Sequence, residues 1–170
     1  DSQTLAACDK SGSLRLWPVP AAGESVVDSP PARVWQAHDG RANSVAFHPT
    51  KNQLASAGQG SHVAIWDLAA RVEPRTLDEP GGLNADERTL AFTPDGRYVA
   101  VPGQAGVRLW DVQTGKLDRT LGDPASPADH VAISLDGRLL VTARKATATV
   151  ELWDLGSQSR SARVSDPAGT

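Results

Sequence analysis

An all-β protein is the fold class this sequence predicts, built from four antiparallel sheets of four short strands each, with the first sheet one strand short. Three observations carry that expectation. Trp17, Trp66, Trp110 and Trp153 end runs of one type, Leu14-Arg15-Leu16-Trp17, Val63-Ala64-Ile65-Trp66, Val107-Arg108-Leu109-Trp110 and Val150-Glu151-Leu152-Trp153, spaced 49, 44 and 43 residues apart. Around each lie further short runs of β-branched, aromatic or small apolar residues bounded by Pro, Gly, Asn or Asp, the pattern of strands closed by turns. The stretches between breakers are too short for ordinary helices, and a fixed period of this length marks a repeat architecture.

The strands follow in order within each unit. A first strand is expected at Val45-Ala46-Phe47, Leu90-Ala91-Phe92 and Val131-Ala132-Ile133, and has no counterpart before residue 4. The turns that follow are His48-Pro49-Thr50-Lys51-Asn52, Thr93-Pro94-Asp95-Gly96-Arg97 and Ser134-Leu135-Asp136-Gly137-Arg138. Asp-Gly tolerates the positive φ of a tight hairpin, so turn chemistry repeats with the apolar pattern. Second strands fall at Thr4 to Ala7, Leu54 to Ala57, Arg97 to Val101 and Leu139 to Ala143, and third strands end at the tryptophans. Asp67, Asp111 and Asp154 follow three of these, where the first copy has Pro18. Fourth strands are expected at Arg33-Val34-Trp35, Arg75-Thr76-Leu77, Arg119-Thr120-Leu121 and Ala162-Arg163-Val164, the last three running into turns at Pro80, Pro124 and Pro167. The repeating units are approximately 1–38, 39–82, 83–126 and 127–170.

Composition narrows the function classes. A chain of 170 residues with 39% hydrophobic and 22% charged residues can bury a core. Net charge is -3 and no dense Lys/Arg block occurs, so there is no electrostatic case for nucleic acid or an anionic membrane. The lone Cys8 excludes an internal disulfide and agrees with a reducing, cytoplasmic setting. No apolar run approaches the roughly 20 residues of a membrane helix. Methionine is absent even at position 1, and the chain is expected to be a piece of something longer.

The Trp-Asp endings, the period and the Phe-x-Pro-Asp-Gly-like turn resemble the WD-repeat family of β-propellers, across nearly the whole chain. The resemblance implies four radially arranged four-stranded blades, the first lacking its first strand, with both blade faces packed on neighbours. It also implies a hydrogen-bonded set of His, Ser or Thr, Asp and Trp within a blade. The second copy offers His38, Ser56 and Trp66, but its turn, Gln59-Gly60, lacks the Asp, and the later copies lack more. The blades are therefore expected to rest mainly on apolar packing around the tryptophans. Rings of this family usually close with more than four blades. The missing blades are expected in the same longer polypeptide, ahead of a second copy of the chain (a homodimer) or a closed four-blade ring.

The search for reaction chemistry is mostly negative. Gly58-Gln59-Gly60-Ser61-His62 reads as a hairpin turn rather than a nucleophile elbow, and Gly103-Gln104-Ala105-Gly106 as another rather than a phosphate loop. His38, His48, His62 and His130 show no metal-ligand spacing; His38 reads as a framework residue and the others as surface. No cofactor is expected. In the family, partners often bind the face formed by the loops before each first strand, which here carry Arg41 and Asn43, Asp86 and Arg88, and Asp129 with His130. Mixed charge there suits a peptide or protein surface. The expected function is a non-catalytic protein-interaction scaffold, the docking or sensing part of a larger signalling or regulatory protein. The alternatives are a structural subunit that self-associates to complete a ring, and an enzyme with a channel-mouth site.

Overall fold

A computed structural model describes residues 3–19, 30–70, 72–83, 89–104, 106–122 and 127–165. Among these residues the secondary structure is fifteen strands with no helix. Sheet I holds β1 (Thr4–Cys8), β2 (Ser13–Pro18) and β3 (Arg33–Gln36). Sheet II holds β4 (Ala42–Phe47), β5 (Gln53–Gly58), β6 (Gly60–Asp67) and β7 (Arg75–Leu83). Sheet III holds β8 (Ala91–Phe92), β9 (Tyr98–Gly103), β10 (Gly106–Asp111) and β11 (Leu117–Leu121). Sheet IV holds β12 (His130–Ile133), β13 (Leu139–Arg144), β14 (Thr149–Asp154) and β15 (Ser159–Ser165). Each sheet is an antiparallel meander in chain order, as the turn spacing predicts.

The two-residue side-chain period explains why these strands are apolar on both sides. In β6, Ala64 and Trp66 face sheet I and pack with Leu54 on Leu14, Leu16 and Ala37. The alternate residues, Val63 and Ile65, face sheet III with Ala55 and Leu77, against Val99, Val101 and Trp110. The next joint repeats the plan, with Ala100, Val107, Leu109 and Leu121 against Val131, Leu140 and Trp153. Trp66, Trp110 and Trp153 each belong to the later sheet of their joint and face the earlier one, and at the first joint Trp35 of sheet I meets Trp66 from the other side. Each buried Leu or Val contributes about 1.5–3 kcal/mol, so the joints carry the core.

Polar bonds repeat along with the packing. Arg33 donates to the Leu68 carbonyl at 2.8 Å, Arg75 to the Val112 carbonyl at 3.2 Å and Arg119 to the Leu155 carbonyl at 3.4 Å. Each arginine stands in a fourth strand and reaches the residue two beyond the next sheet's tryptophan. On the first strands, the Ser44 Oγ accepts the Leu90 N–H at 2.9 Å and the Thr89 Oγ1 accepts the Val131 N–H at 3.1 Å.

The first-to-second strand turns also match their sequence pattern. Asp95 Oδ1 accepts bonds from the Thr93 hydroxyl and the Arg97 N–H, and Asp136 does the same for Ser134 and Arg138. Gly96 and Gly137 take φ of 71° and 70°. The turn Asp residues are thus held below the usual carboxylate range, first by the neighbouring hydroxyl.

Two readings need correction. His48 is not a surface residue: it is 5% exposed, its Nδ1 accepts the Thr50 and Lys51 N–H groups, and its ring tilts against Phe92 and lies directly over Gly96 of the next turn. The chain also does not turn at Pro80. Strand β7 continues to Leu83, pairing Leu83 with Gly60 past an irregularity between Gly60 and His62. Pro80 falls within that irregularity, between Asp78 and Leu83, where no residue pairs across to β6, so its missing N–H breaks no ladder bond. The turns expected at Pro124 and Pro167 lie outside the described residues.

The His48 contact yields a prediction. A Cβ on Gly96 would overlap the His48 ring at a φ that L residues rarely adopt, whereas one on Gly137 would meet Pro94 at 3.3 Å. Gly96→Ala is expected to destabilise by about 2–3 kcal/mol, and Gly137→Ala by about 1 kcal/mol. Urea denaturation of both variants checks the difference; equal midpoints contradict it.

Candidate interaction surface

In sheets II and IV the entry loop before the first strand lies beside the hairpin between second and third strands, and hydrogen bonds lock the two together. In sheet II the Gln59 N–H donates to the Arg41 carbonyl at 2.6 Å, and the Arg41 N–H to the Gln59 side-chain carbonyl at 3.2 Å. In sheet IV the Asp129 N–H donates to the Ala143 carbonyl, and the Asp129 carboxylate accepts the Lys145 N–H at 2.7 Å. The hairpin of sheet I is tied to the same rim: the Gly12 carbonyl accepts the Ala37 and His38 N–H groups, and the Asp9 carbonyl accepts that of Ala42. Among the described residues the result is a rim whose backbone is fixed at sheets I, II and IV.

The expected loop residues take different places on it. Arg41 is exposed. Asn43 lies within β4 and is half-buried. Asp129 is half-buried with its carboxylate engaged on the hairpin, and His130 opens β12 opposite Ala143. Asp86 and Arg88 lie outside the described residues. Exposed Lys10, Asp39, Arg41 and Lys145 give the rim both signs of charge.

Beneath the rim, sheet II contains the polar chain that its residue types suggest. The Trp66 indole N–H donates to the Ser56 Oγ at 2.9 Å, and that oxygen lies 3.0 Å from His38 Nε2. All three residues are buried, Ser56 completely. His38 Nδ1 has no hydrogen-bond partner, in keeping with the Gln59-Gly60 turn that supplies no carboxylate, and the His62 ring stacks on it at 5.1 Å. In sheet IV the register puts Thr142 in the place of Ser56, yet the Trp153 indole N–H finds no partner.

On the opposite end, Asp67 accepts the Ala69 and Ala70 N–H groups, Asp111 accepts that of Thr114, and Asp154 accepts those of Gly156 and Ser157. Asp111 and Asp154 also pair with Arg97 and Arg138, which follow the Asp-Gly turns. These carboxylates close the turn between third and fourth strands, and the backbone bonds hold Asp111 and Asp154 below the ordinary range. Trp17 is half-buried. Among the described residues no group of three His, Cys, Asp or Glu is placed to hold a metal, and no helix is long and apolar enough to cross a membrane.

Sequence reasoning missed three features. Glu151 is 2% exposed and bonded to Arg144 and Arg160; His48 is buried; and Arg33, Arg75 and Arg119 bridge sheets. A signal existed for the first, because Glu151 stands two residues before Trp153 and so shares its inward face.

Burial, with the nearby His62 adding to it, pushes the His38 imidazole down to about 4 from 6.5. Burial also lowers His48. A histidine held neutral by the fold stabilises it fully above the unfolded pKa, and that contribution is lost as pH falls toward the folded value. Stability is therefore expected to fall between about pH 6.5 and 4, by up to about 3 kcal/mol for His38. Urea midpoints across that range check this, and a His38→Gln variant is expected to show a flatter profile.

Repeated sheets packed face to face with a rigid loop rim define a β-propeller type of protein whose blades are joined by apolar faces. The WD domain, G-beta repeat model matches residues 29–67. The chain is 32% identical over 145 residues to coronin-7 of Homo sapiens, covering 83% of this chain and 15% of that protein. It is 31% identical over 119 residues to the protein LST8 homolog of Drosophila melanogaster, covering 68% of this chain and 36% of that one. It is 28% identical over 129 residues to the target of rapamycin complex subunit wat1 of Schizosaccharomyces pombe, covering 75% and 40%. The chain belongs to the WD-repeat family of β-propellers. Members of that family generally mediate protein–protein interactions and are generally non-catalytic scaffolds. The matched region spans well under half the length of these relatives.

Proposed function

We propose that the chain is the docking or sensing part of a larger signalling or regulatory protein, acts in the cytoplasm, and binds a protein or peptide on its entry-loop rim without catalysis. The observation that carries this reading is the rim itself: its backbone is fixed by the Arg41–Gln59 and Asp129–Lys145 bonds, while Lys10, Asp39 and Arg41 extend into solvent. A fixed backbone lowers the entropy lost on binding, and mixed charge selects orientation. The relative named as a target of rapamycin complex subunit supports a role within an assembly. The four units at 1–38, 39–82, 83–126 and 127–170 are proposed as successive blades that hold this rim, with Trp66, Trp110, Trp153, Asp67, Asp111, Asp154, His38 and Ser56 as their anchors.

The test is affinity capture with quantitative mass spectrometry, comparing the wild type with a Lys10→Glu/Arg41→Glu variant of unchanged melting temperature. A set of proteins enriched by the wild type and reduced at least about tenfold by the variant is expected, as loss of two well-placed charge contacts implies. Equal capture by both contradicts the rim assignment.

A further inference from the structure

Sheet IV departs from the repeat at one cluster of charge. Ala64 pairs with Thr76 in sheet II and Arg108 with Thr120 in sheet III; at the same register of sheet IV, Glu151 pairs with Arg163. Arg160 stands opposite Trp153 where Leu117 stands opposite Trp110, and Arg144 follows Ala143 where Gly58 follows Ala57. Sheets II and III form without such a group, so the fold of a sheet does not require it. Directly paired residues share a face, and Trp153 faces sheet III, as does Glu151 two residues before it. Arg160 and Arg163 therefore stand on the same side, at the margin of the joint between sheets III and IV where β15 is the edge strand.

Three guanidiniums meet one carboxylate there. Arg144 Nη2 lies 3.0 Å from Glu151 Oε2, while Arg160 Nη1 and Arg163 Nε lie 2.7 and 3.9 Å from Oε1. The inner pair is buried and neutral as a pair, with side chains 9% and 2% exposed. Arg160 and Arg163, 44% and 49% exposed, are then an excess of two positive charges sharing one oxygen, and like charges held this close repel. Arg160 is steadied over the Trp153 ring at 6.0 Å, and among the described residues the Arg163 side chain makes no hydrogen bond.

We propose that Arg160 and Arg163 bind a doubly charged oxyanion, a phosphate group, at the margin between sheets III and IV, with the Arg144–Glu151 pair as the base that positions them. A phosphate monoester carries up to two negative charges near pH 7, which matches the excess. Its oxygens accept the parallel N–H donors of a guanidinium fork, and two forks on one anion fix its place as well as its charge. Both arginines are near half exposed, so they give up little hydration on binding, and Glu151 stays neutralised by Arg144 when they turn to the anion. Neither Lys10 nor Arg41 takes part, so failure of this site leaves the rim assignment untouched.

Titration of the 170-residue chain with N-acetyl phosphoserine methylamide at fixed ionic strength, followed by NMR, tests the site. Saturable shifts of the Arg160 and Arg163 Nε–H signals are expected. Arg160→Ala/Arg163→Ala is expected to stay folded by circular dichroism and to bind at least about tenfold more weakly, the effect of losing two charge-assisted hydrogen bonds. If that variant does not fold, Arg163→Ala carries the test, with a loss of at least about threefold expected. Acetate, with a single charge, is expected to bind at least about fivefold more weakly than the phosphoserine probe. Inorganic phosphate separates the sources: affinity equal to that of the phosphoserine probe assigns a free anion, and weaker affinity assigns a phosphorylated protein. Shifts that follow ionic strength alone, saturation at Lys10 or Arg41 instead, acetate binding as tightly as the phosphoserine probe, or unchanged affinity in the arginine variants each overturn the proposal.

Discussion

Trp66→Ala is expected to destabilise the fold by about 4–5 kcal/mol, at the top of the range for truncating a buried aromatic side chain. Trp66 is 5% exposed, its ring lies 5.1 Å from Trp35, and it closes the joint with Leu14 and Leu16. Truncation opens a cavity between two sheets that cannot collapse onto each other, because the Arg33 bridge to Leu68 and the approach of β1 to β4 fix their separation. It also removes the indole N–H from Ser56, which is fully buried and shared with His38. A buried hydroxyl deprived of a donor adds about 1 kcal/mol. Trp153→Ala should fall lower, at about 3–4 kcal/mol, since Trp153 is 9% exposed and its N–H has no partner to lose. Trp66→Phe separates the two contributions: it keeps most of the ring and loses the hydrogen bond, and should cost about 1–2 kcal/mol. Chemical denaturation monitored by circular dichroism gives the ranking. Equal losses for Trp66→Ala and Trp153→Ala would show that the polar chain under the rim adds nothing.

The apolar architecture was legible because it is periodic. Trp66, Trp110 and Trp153 sit at equivalent registers, and Asp95-Gly96 and Asp136-Gly137 announce the positive φ they adopt. What was not legible depends on contacts between repeats. His48 looks like an exposed turn residue until the Gly96 turn is placed against it, and only a glycine there leaves room for the ring. Arg75-Thr76-Leu77 and Arg119-Thr120-Leu121 were visible as a repeated phrase, but an arginine on an edge strand is ordinarily a solvated charge; its role needs the neighbouring sheet's carbonyl. The rim was readable as a set of loops and not as a set of roles. Asp129 and Arg41 occupy similar loops, yet the Asp129 carboxylate is engaged on the Lys145 backbone while Arg41 faces solvent. Among the predicted loop residues that the structure describes, exposure therefore singles out Arg41.

Glu151→Ala is expected to cost about 3–5 kcal/mol, a loss of the same order as that at Trp66 and of different origin. Glu151 lies between sheets III and IV at 2% exposure, with one carboxylate oxygen 3.0 Å from Arg144 and the other 2.7 Å from Arg160 and 3.9 Å from Arg163. Arg144 is itself 9% exposed at its side chain, so removing the carboxylate leaves a guanidinium where water reaches it poorly. Arg160 and Arg163 are 44% and 49% exposed and can turn outward, so their bonds to Glu151 are screened and contribute less. The energy at stake is therefore chiefly that of the inner pair, and it is the cost of breaking up a buried pair rather than the net value of the bridge. Three variants separate these. Arg160→Ala should cost under about 1 kcal/mol, and Glu151→Ala the full amount. Glu151→Leu combined with Arg144→Leu should recover most of the loss, because two apolar side chains suit the packing of Val107 and Leu121 around Trp153. If the double variant is no more stable than Glu151→Ala, the charges do more than neutralise each other, and the bridge is what holds β13, β14 and β15 together within sheet IV.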